Sequence, residues 1–152
     1  MTFTLTRDVL FIERCLRFLK PGGRIAIVLP QGNLNNTNAE YVRRFVIDKA
    51  RILAVVGVHV NTFKPFTGTK TSVLFLQKRR SKSEKLDDYP IFMGVNEKPL
   101  KDNSGNYIFV KSPDNIPLKD EHGKPIIEHD LDEIAEGFIK FAKEQNLDFW
   151  RR

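Results

Sequence analysis

The segment Phe63-Lys64-Pro65-Phe66-Thr67-Gly68-Thr69-Lys70-Thr71-Ser72 gathers groups suited to an anionic ligand. The amines of Lys64 and Lys70 and the hydroxyls of Thr71 and Ser72 suit contacts to phosphate oxygens. The alternative is a solvated rim, with Thr71 and Ser72 opening a strand. Gln31, Gly32, Asn33 and Asn35 follow the apolar run that ends at Pro30. Open sheets bind ligands beyond the carboxyl ends of their parallel strands, so Gln31 and Asn33 are candidate polar contacts. Arg79, Arg80, Lys82 and Lys85 form a second basic group, which reads as a solvated linker. His59, His122 and His129 are scattered and Cys15 is the single cysteine. That pattern has no zinc-ligand spacing and no nucleophile–base pair. Asp87-Asp88 and Asp130/Asp132/Glu133 read as turn and cap residues rather than a metal cluster.

The chain has 152 residues, enough for one domain with a real core. A net charge of +6 fits a polyanionic partner. No apolar run approaches the roughly 20 residues of a membrane span. The first residues, Met1 to Arg7, lack the apolar stretch and cleavage site of a secretory signal, so a cytoplasmic protein is expected. Cys15 falls on the apolar face of a predicted helix, where packing is its expected role.

These groups need elements to position them. Val9, Ile12, Leu16 and Leu19 recur at helical spacing and predict a helix over 7–19, with Thr6 as N-cap. Pro21-Gly22-Gly23 ends it. Ile25 to Leu29 is a continuous apolar run, which suggests a strand covered on both faces inside a parallel sheet. A polar loop over 30–38 leads to a second helix over 39–48, capped by Thr37 or Asn38. Strands follow over 51–58 and 72–77. The first two strands, joined through a helix, suit a parallel crossover. The last two have no helix between them, so an antiparallel pairing is expected. Weaker strand signals lie at 90–95 and 107–110. A final helix is predicted over 131–145, with Asp130 as N-cap and Glu133 completing a capping box. No internal repeat stands out.

Asp8-Val9-Leu10-Phe11-Ile12-Glu13-Arg14-Cys15-Leu16, the Lys20-Pro21-Gly22-Gly23-Arg24 turn, Ile27-Val28-Leu29-Pro30 and Lys70-Thr71-Ser72-Val73-Leu74-Phe75 occur in this order. In order and spacing they resemble the modification subunits of type I restriction–modification systems. Those subunits are S-adenosylmethionine-dependent, adenine-specific DNA methyltransferases. The similarity is dense from Asp8 to Lys78 and looser through Tyr89 to Met93 and Asp130 to Ala135. It covers the C-terminal half of the family's catalytic domain. The fold class it implies is α/β, a partial Rossmann-like methyltransferase sheet with an antiparallel terminal strand pair. Residues 25–29, 52–58 and 72–77 would be its fifth, sixth and reversed seventh strands. A small α+β extension would follow. The expected division is therefore 1–80, catalytic half-domain, and 81–152, linker and extension ending in a helix.

Adenine methylation needs a held donor, an extruded base and an activated amine. The family holds the donor with a glycine-rich turn after its first strand and activates the amine with an Asp/Asn-Pro-Pro-Tyr/Phe tetrapeptide. This sequence has no such tetrapeptide, and Gly22-Gly23 precede rather than follow its first strand. The expectation is a chain that is inactive alone, with no catalytic residue of its own, no metal and no bound cofactor. S-adenosylmethionine would serve only the complete enzyme. In the family, an aromatic residue before the last strand stacks on the flipped adenine. Phe63 aligns with that position and Phe66 is the alternative. Expected partners are DNA, the N-terminal half, and the specificity and restriction subunits of a type I system. A strand 25–29 without its flanking neighbour would pair edge to edge with a second copy or be covered by the tail. The competing functions are a non-catalytic DNA- or subunit-binding remnant and an unrelated open-sheet binding domain.

Overall fold

A computed structural model describes residues 6–84, 86 and 88–147. Lys85 and Asp87 lie outside the described residues. The chain divides into two compact units, residues 1–57 with 71–94, and residues 58–70 with 95–152. This division differs from a boundary at 80/81. The 58–70 segment leaves the sheet and groups with the C-terminal part of the chain.

The first unit begins with α1 (Arg7–Phe18), in which Ile12 and Leu16 are buried one turn apart. The Pro21-Gly22-Gly23 turn follows. Gly22 has φ +76°, and a Cβ on Gly23 would stand 2.8 Å from the Lys20 carbonyl oxygen. The turn therefore needs glycine at both positions. Strand β1 (Arg24–Pro30) leads to α2 (Gly32–Asn35) and a 3₁₀ turn over Thr37–Ala39. The expected polar loop is thus mostly helical, and the capping side chain is Asn36, which accepts from Asn38 N at 2.9 Å. Helix α3 (Glu40–Lys49) then feeds β2 (Ala50–Gly57). After the excursion through 58–70 come β3 (Thr71–Lys78) and β4 (Phe92–Val95).

The sheet order is β1-β3-β2-β4. β3 runs antiparallel to both β1 and β2. β1 and β2 therefore point the same way, as the expected parallel crossover requires, but β3 is inserted between them. The reversed last strand is confirmed. The expected parallel neighbours of residues 25–29 are not seen: among the described residues β1 stands at the end of the sheet order, paired with the antiparallel β3. Its burial alternates, with Leu29 buried and Val28 half exposed. One face is packed and the other open, as antiparallel strands allow. The packed face meets α1 and α3 through Ile12, Leu16, Leu29, Val42, Val46, Leu74 and Leu76. Burying each such aliphatic side chain contributes about 1.5–3 kcal/mol.

The second unit is built from turns. Asp102–Asn106, Ser112–Ile116 and Asp120–Lys124 each close on themselves by two main-chain hydrogen bonds. Gly105, Asn115 and Gly123 take positive φ at matching positions. Asp102 and Asp120 accept main-chain N–H groups through their carboxylates. Behind the turns, Leu118 N donates to Val110 O, Ile126 N to Leu118 O and Val110 N to Ile126 O, at 2.8–2.9 Å. These three bonds form a closed ring. The chain therefore does carry a repeat, Lys-(Asp/Ser)-x-x-(Gly/Asn)-x-(Tyr/Pro), starting at Lys101, Lys111 and Lys119. Helix α4 (Leu131–Glu144) ends the described fold. Asp130 does not cap it by its side chain. Its carboxylate instead accepts from the Asn96 amide and from the N–H groups of Glu97 and Lys98.

Candidate nucleic-acid interface

In the first unit, the β1–β3–β2 register gathers several predicted residues at one sheet end. Pro30 pairs with Thr71, Leu29 with Ser72, and Gly57 with Ser72. Gln31 follows directly at the start of α2 and is partly exposed. Thr71 and Ser72 open β3 and are buried, at 7% and 5% exposed. Thr71 Oγ1 has no hydrogen-bond partner among the described residues. Asn33 donates its side-chain amide to the Asp8 carboxylate. Hydrogen bonds from Thr6 and Asn33 hold Asp8 below the usual carboxylate range. The Asn33 carboxamide is thus occupied inside the fold, tying the turn after β1 to the first turn of α1. Gln31 precedes the short helix that holds Asn33, and its side chain has no such hydrogen bond among the described residues.

At the other end of this sheet, a concavity of about 550 Å³ is lined by Arg17, Lys49, Lys78, Arg79, Arg80 and Lys82 over Leu16 and Phe45. Two of its cations cap helices rather than wait for phosphate. Lys78 Nζ donates to Leu19 O at 2.8 Å, and Arg79 Nη2 to Ile47 O at 2.9 Å. Both carbonyls lie at helix C-termini, where the partial charge is negative. Arg79 also donates to Glu84 O, so part of the expected solvated linker is a structural clamp.

In the second unit, the 58–70 segment carries Phe63, Lys64, Phe66 and Lys70. Phe66 is 92% exposed and Phe63 is partly buried. The segment folds by successive turns: Thr62 N to His59 O, Lys64 N to Asn61 O and Thr67 N to Phe63 O, at 3.0–3.2 Å. The structure adds residues that sequence reasoning missed. His59 N donates to Asn96 Oδ1 at 3.0 Å, and Asn61 Nδ2 donates to Lys101 O and Asn103 Oδ1 at 3.1 Å. Those partners lie about forty positions away along the chain, and no local pattern announces them. Lys70 is exposed. Lys64 is half-buried, with its main-chain carbonyl accepting from Lys101 Nζ at 2.8 Å. Among the described residues no group of His, Cys, Asp and Glu could hold a metal ion. No described helix is long and apolar enough to cross a membrane.

A family model described as N-6 DNA Methylase matches residues 3–150. The chain belongs to the N-6 DNA methylase family. It is 25% identical over 146 residues to the type I restriction enzyme EcoEI methylase subunit of Escherichia coli, covering 93% of this chain and 26% of that protein. The chain thus spans about a quarter of that relative's length. Among solved structures it is similar to the type I restriction enzyme EcoKI M protein, with 30% identity, TM-score 0.44, and coverage of 48% of this chain and 15% of that one. A second similar chain comes from a structure of type I restriction–modification complex assembly. It shows 21% identity, TM-score 0.49, and coverage of 93% and 25%.

The Gly22-Gly23 turn does not fit the methyl donor of such enzymes. Gly22 N donates to Lys78 O and Gly23 N to Lys20 O, at 3.0 and 2.8 Å. Both N–H groups of this turn are consumed inside the fold.

Proposed function

We propose that these residues form the target-base side of a DNA adenine-N6 methyltransferase of the type I modification-subunit kind. The reading is carried by the reversed β3 lying between β1 and β2, with an aromatic loop inserted between β2 and β3 in the chain. Within that loop Phe63 is the stacking residue. A ring that receives a base in one pose needs a fixed backbone, and Phe63 is held by the Thr67 N–H on its own carbonyl and by the adjacent Asn61–Lys64 turn. Phe66 is almost fully exposed, with no such main-chain bond among the described residues. Exposed Lys70 supplies a backbone contact to DNA, with Lys64 at the loop's shoulder.

S-adenosylmethionine is the donor of the complete enzyme. Residues outside 1–152 supply its glycine-rich turn and the catalytic tetrapeptide, so the 152-residue chain is inactive by itself. The N-terminal half of the catalytic domain, with specificity and restriction subunits, completes the assembly. Calorimetric titrations test this. The chain alone is expected to bind an adenine-containing oligonucleotide and not S-adenosylmethionine. Tight binding of the donor, or no binding of the oligonucleotide, would overturn the reading.

A further inference from the structure

We propose that Lys101 is a positioning residue that fixes the base-stacking loop, making the C-terminal segment a brace for the target-base site. The inference rests on the stacking role proposed above for Phe63. Lys101 is tied to the loop at both of its ends. Its Nζ donates to the main-chain carbonyl of Lys64, the residue after Phe63, at 2.8 Å. Its own carbonyl accepts from Asn61 Nδ2 at 3.1 Å, two residues before Phe63. Asn61 is buried, so this amide has little water to fall back on. The Lys101 ammonium also lies 5.0 Å from the centroid of the Tyr107 ring. Its charge is directed at a carbonyl and an aromatic face rather than at a phosphate.

Gly105 completes the brace. A Cβ there would come within 2.7 Å of Pro65 N and Cδ and 3.0 Å of Lys64 C. Its φ of +94° independently disfavours any side chain. The first of the three turns therefore presses its glycine against loop backbone between Phe63 and Phe66. Turn and lysine together bracket Phe63 on both sides. Rigid presentation lowers the ordering cost of capturing a base.

The test compares the unaltered 152-residue chain with Lys101→Met, Lys101→Arg and Lys119→Met, the last removing equal charge from another turn. Two quantities are read. One is amide hydrogen exchange across 61–67. The other is the ratio of affinities for a single-stranded oligonucleotide carrying adenine and one abasic at that position. Lys101→Met is expected to speed exchange at Lys64 and Thr67 by about tenfold and to cut the affinity ratio severalfold. Lys101→Arg recovers part of both, and Lys119→Met changes neither. Unchanged exchange in Lys101→Met overturns the brace. Faster exchange with an unchanged ratio overturns the positioning role. A ratio near unity in the unaltered chain overturns the stacking role itself.

Discussion

The Asn96 carboxamide donates to the Asp130 carboxylate, joining the segment after β4 to the start of α4. The other end of that carboxamide accepts the His59 N–H at 3.0 Å, at the entrance to the aromatic loop. Asn96 is 2% exposed. One buried side chain therefore ties together three stretches of the second unit. Asn96→Ala would leave the partly buried His59 N–H without its partner and take one of three donors from the Asp130 carboxylate. The expected loss is about 1–3 kcal/mol of stability, read by urea denaturation. Asn96→Asp should cost at least as much, because it sets a second carboxylate against Asp130. Wild-type stability in either variant would remove Asn96 from this role.

The same site sets an acid limit on stability. Desolvation acts to raise the Asp130 pKa. Hydrogen bonds from the Asn96 side chain and the Glu97 and Lys98 N–H groups outweigh it and hold the group below its ordinary 3.8. A carboxylate depressed on folding stabilises the native state fully above its unfolded pKa. That contribution is lost as pH falls through the folded value. Melting temperature measured from pH 6 downward should fall below about pH 4, and Asp130→Asn should flatten that limb. Asp8, also held low by Thr6 and Asn33, gives the first unit a decline of the same sign. A segment-resolved probe such as amide exchange separates the two. An unchanged acid limb in the second unit of Asp130→Asn would count against the assignment.

Much of the first unit was legible because its helices and strands advertise themselves by period. Ile12 and Leu16 sit one turn apart, and the apolar runs 25–29 and 52–58 are of strand length. The place of β3 was not legible in detail, because strand order depends on contacts between distant segments. The continuous apolar run of β1 misled for the same reason: Ala26 and Val28 are exposed on an edge strand. The second unit hid its repeat behind unequal spacings between Lys101, Lys111 and Lys119 and an asparagine where the other two turns use glycine. At the candidate site, sequence named the aromatic and basic residues. It could not name Asn96 or Lys101, which act on the loop from nearly forty residues away.

Phe63 and Phe66 should respond oppositely to truncation. Phe66 is 92% exposed, so Phe66→Ala should leave stability within about 0.5 kcal/mol of wild type. Phe63→Ala should weaken binding of an adenine-containing single strand by about 1–3 kcal/mol, the value of one stacked base. Affinity for the abasic strand should stay unchanged. If Phe66→Ala carries the binding loss instead, the stacking ring lies one turn further along the loop. Fluorescence anisotropy with the two oligonucleotides decides between them.

Two neighbours on β1 give the last prediction. Leu29 is 1% exposed and faces the helices, whereas Val28 is 48% exposed on the opposite side of the same strand. A strand alternates faces at every residue, so one position changes the consequence of substitution. Leu29→Ala should cost about 2–5 kcal/mol through the cavity it leaves against α1 and α3. Val28→Lys should change stability little, since the charge remains in water. Its effect should fall on association. Among the described residues β1 is the outermost strand of the sheet, and an apolar edge invites pairing with another chain. The proposed edge-to-edge homodimer should therefore weaken in Val28→Lys, read by sedimentation over a concentration series. A chain monomeric throughout that series before substitution would show that this edge does not recruit a second copy.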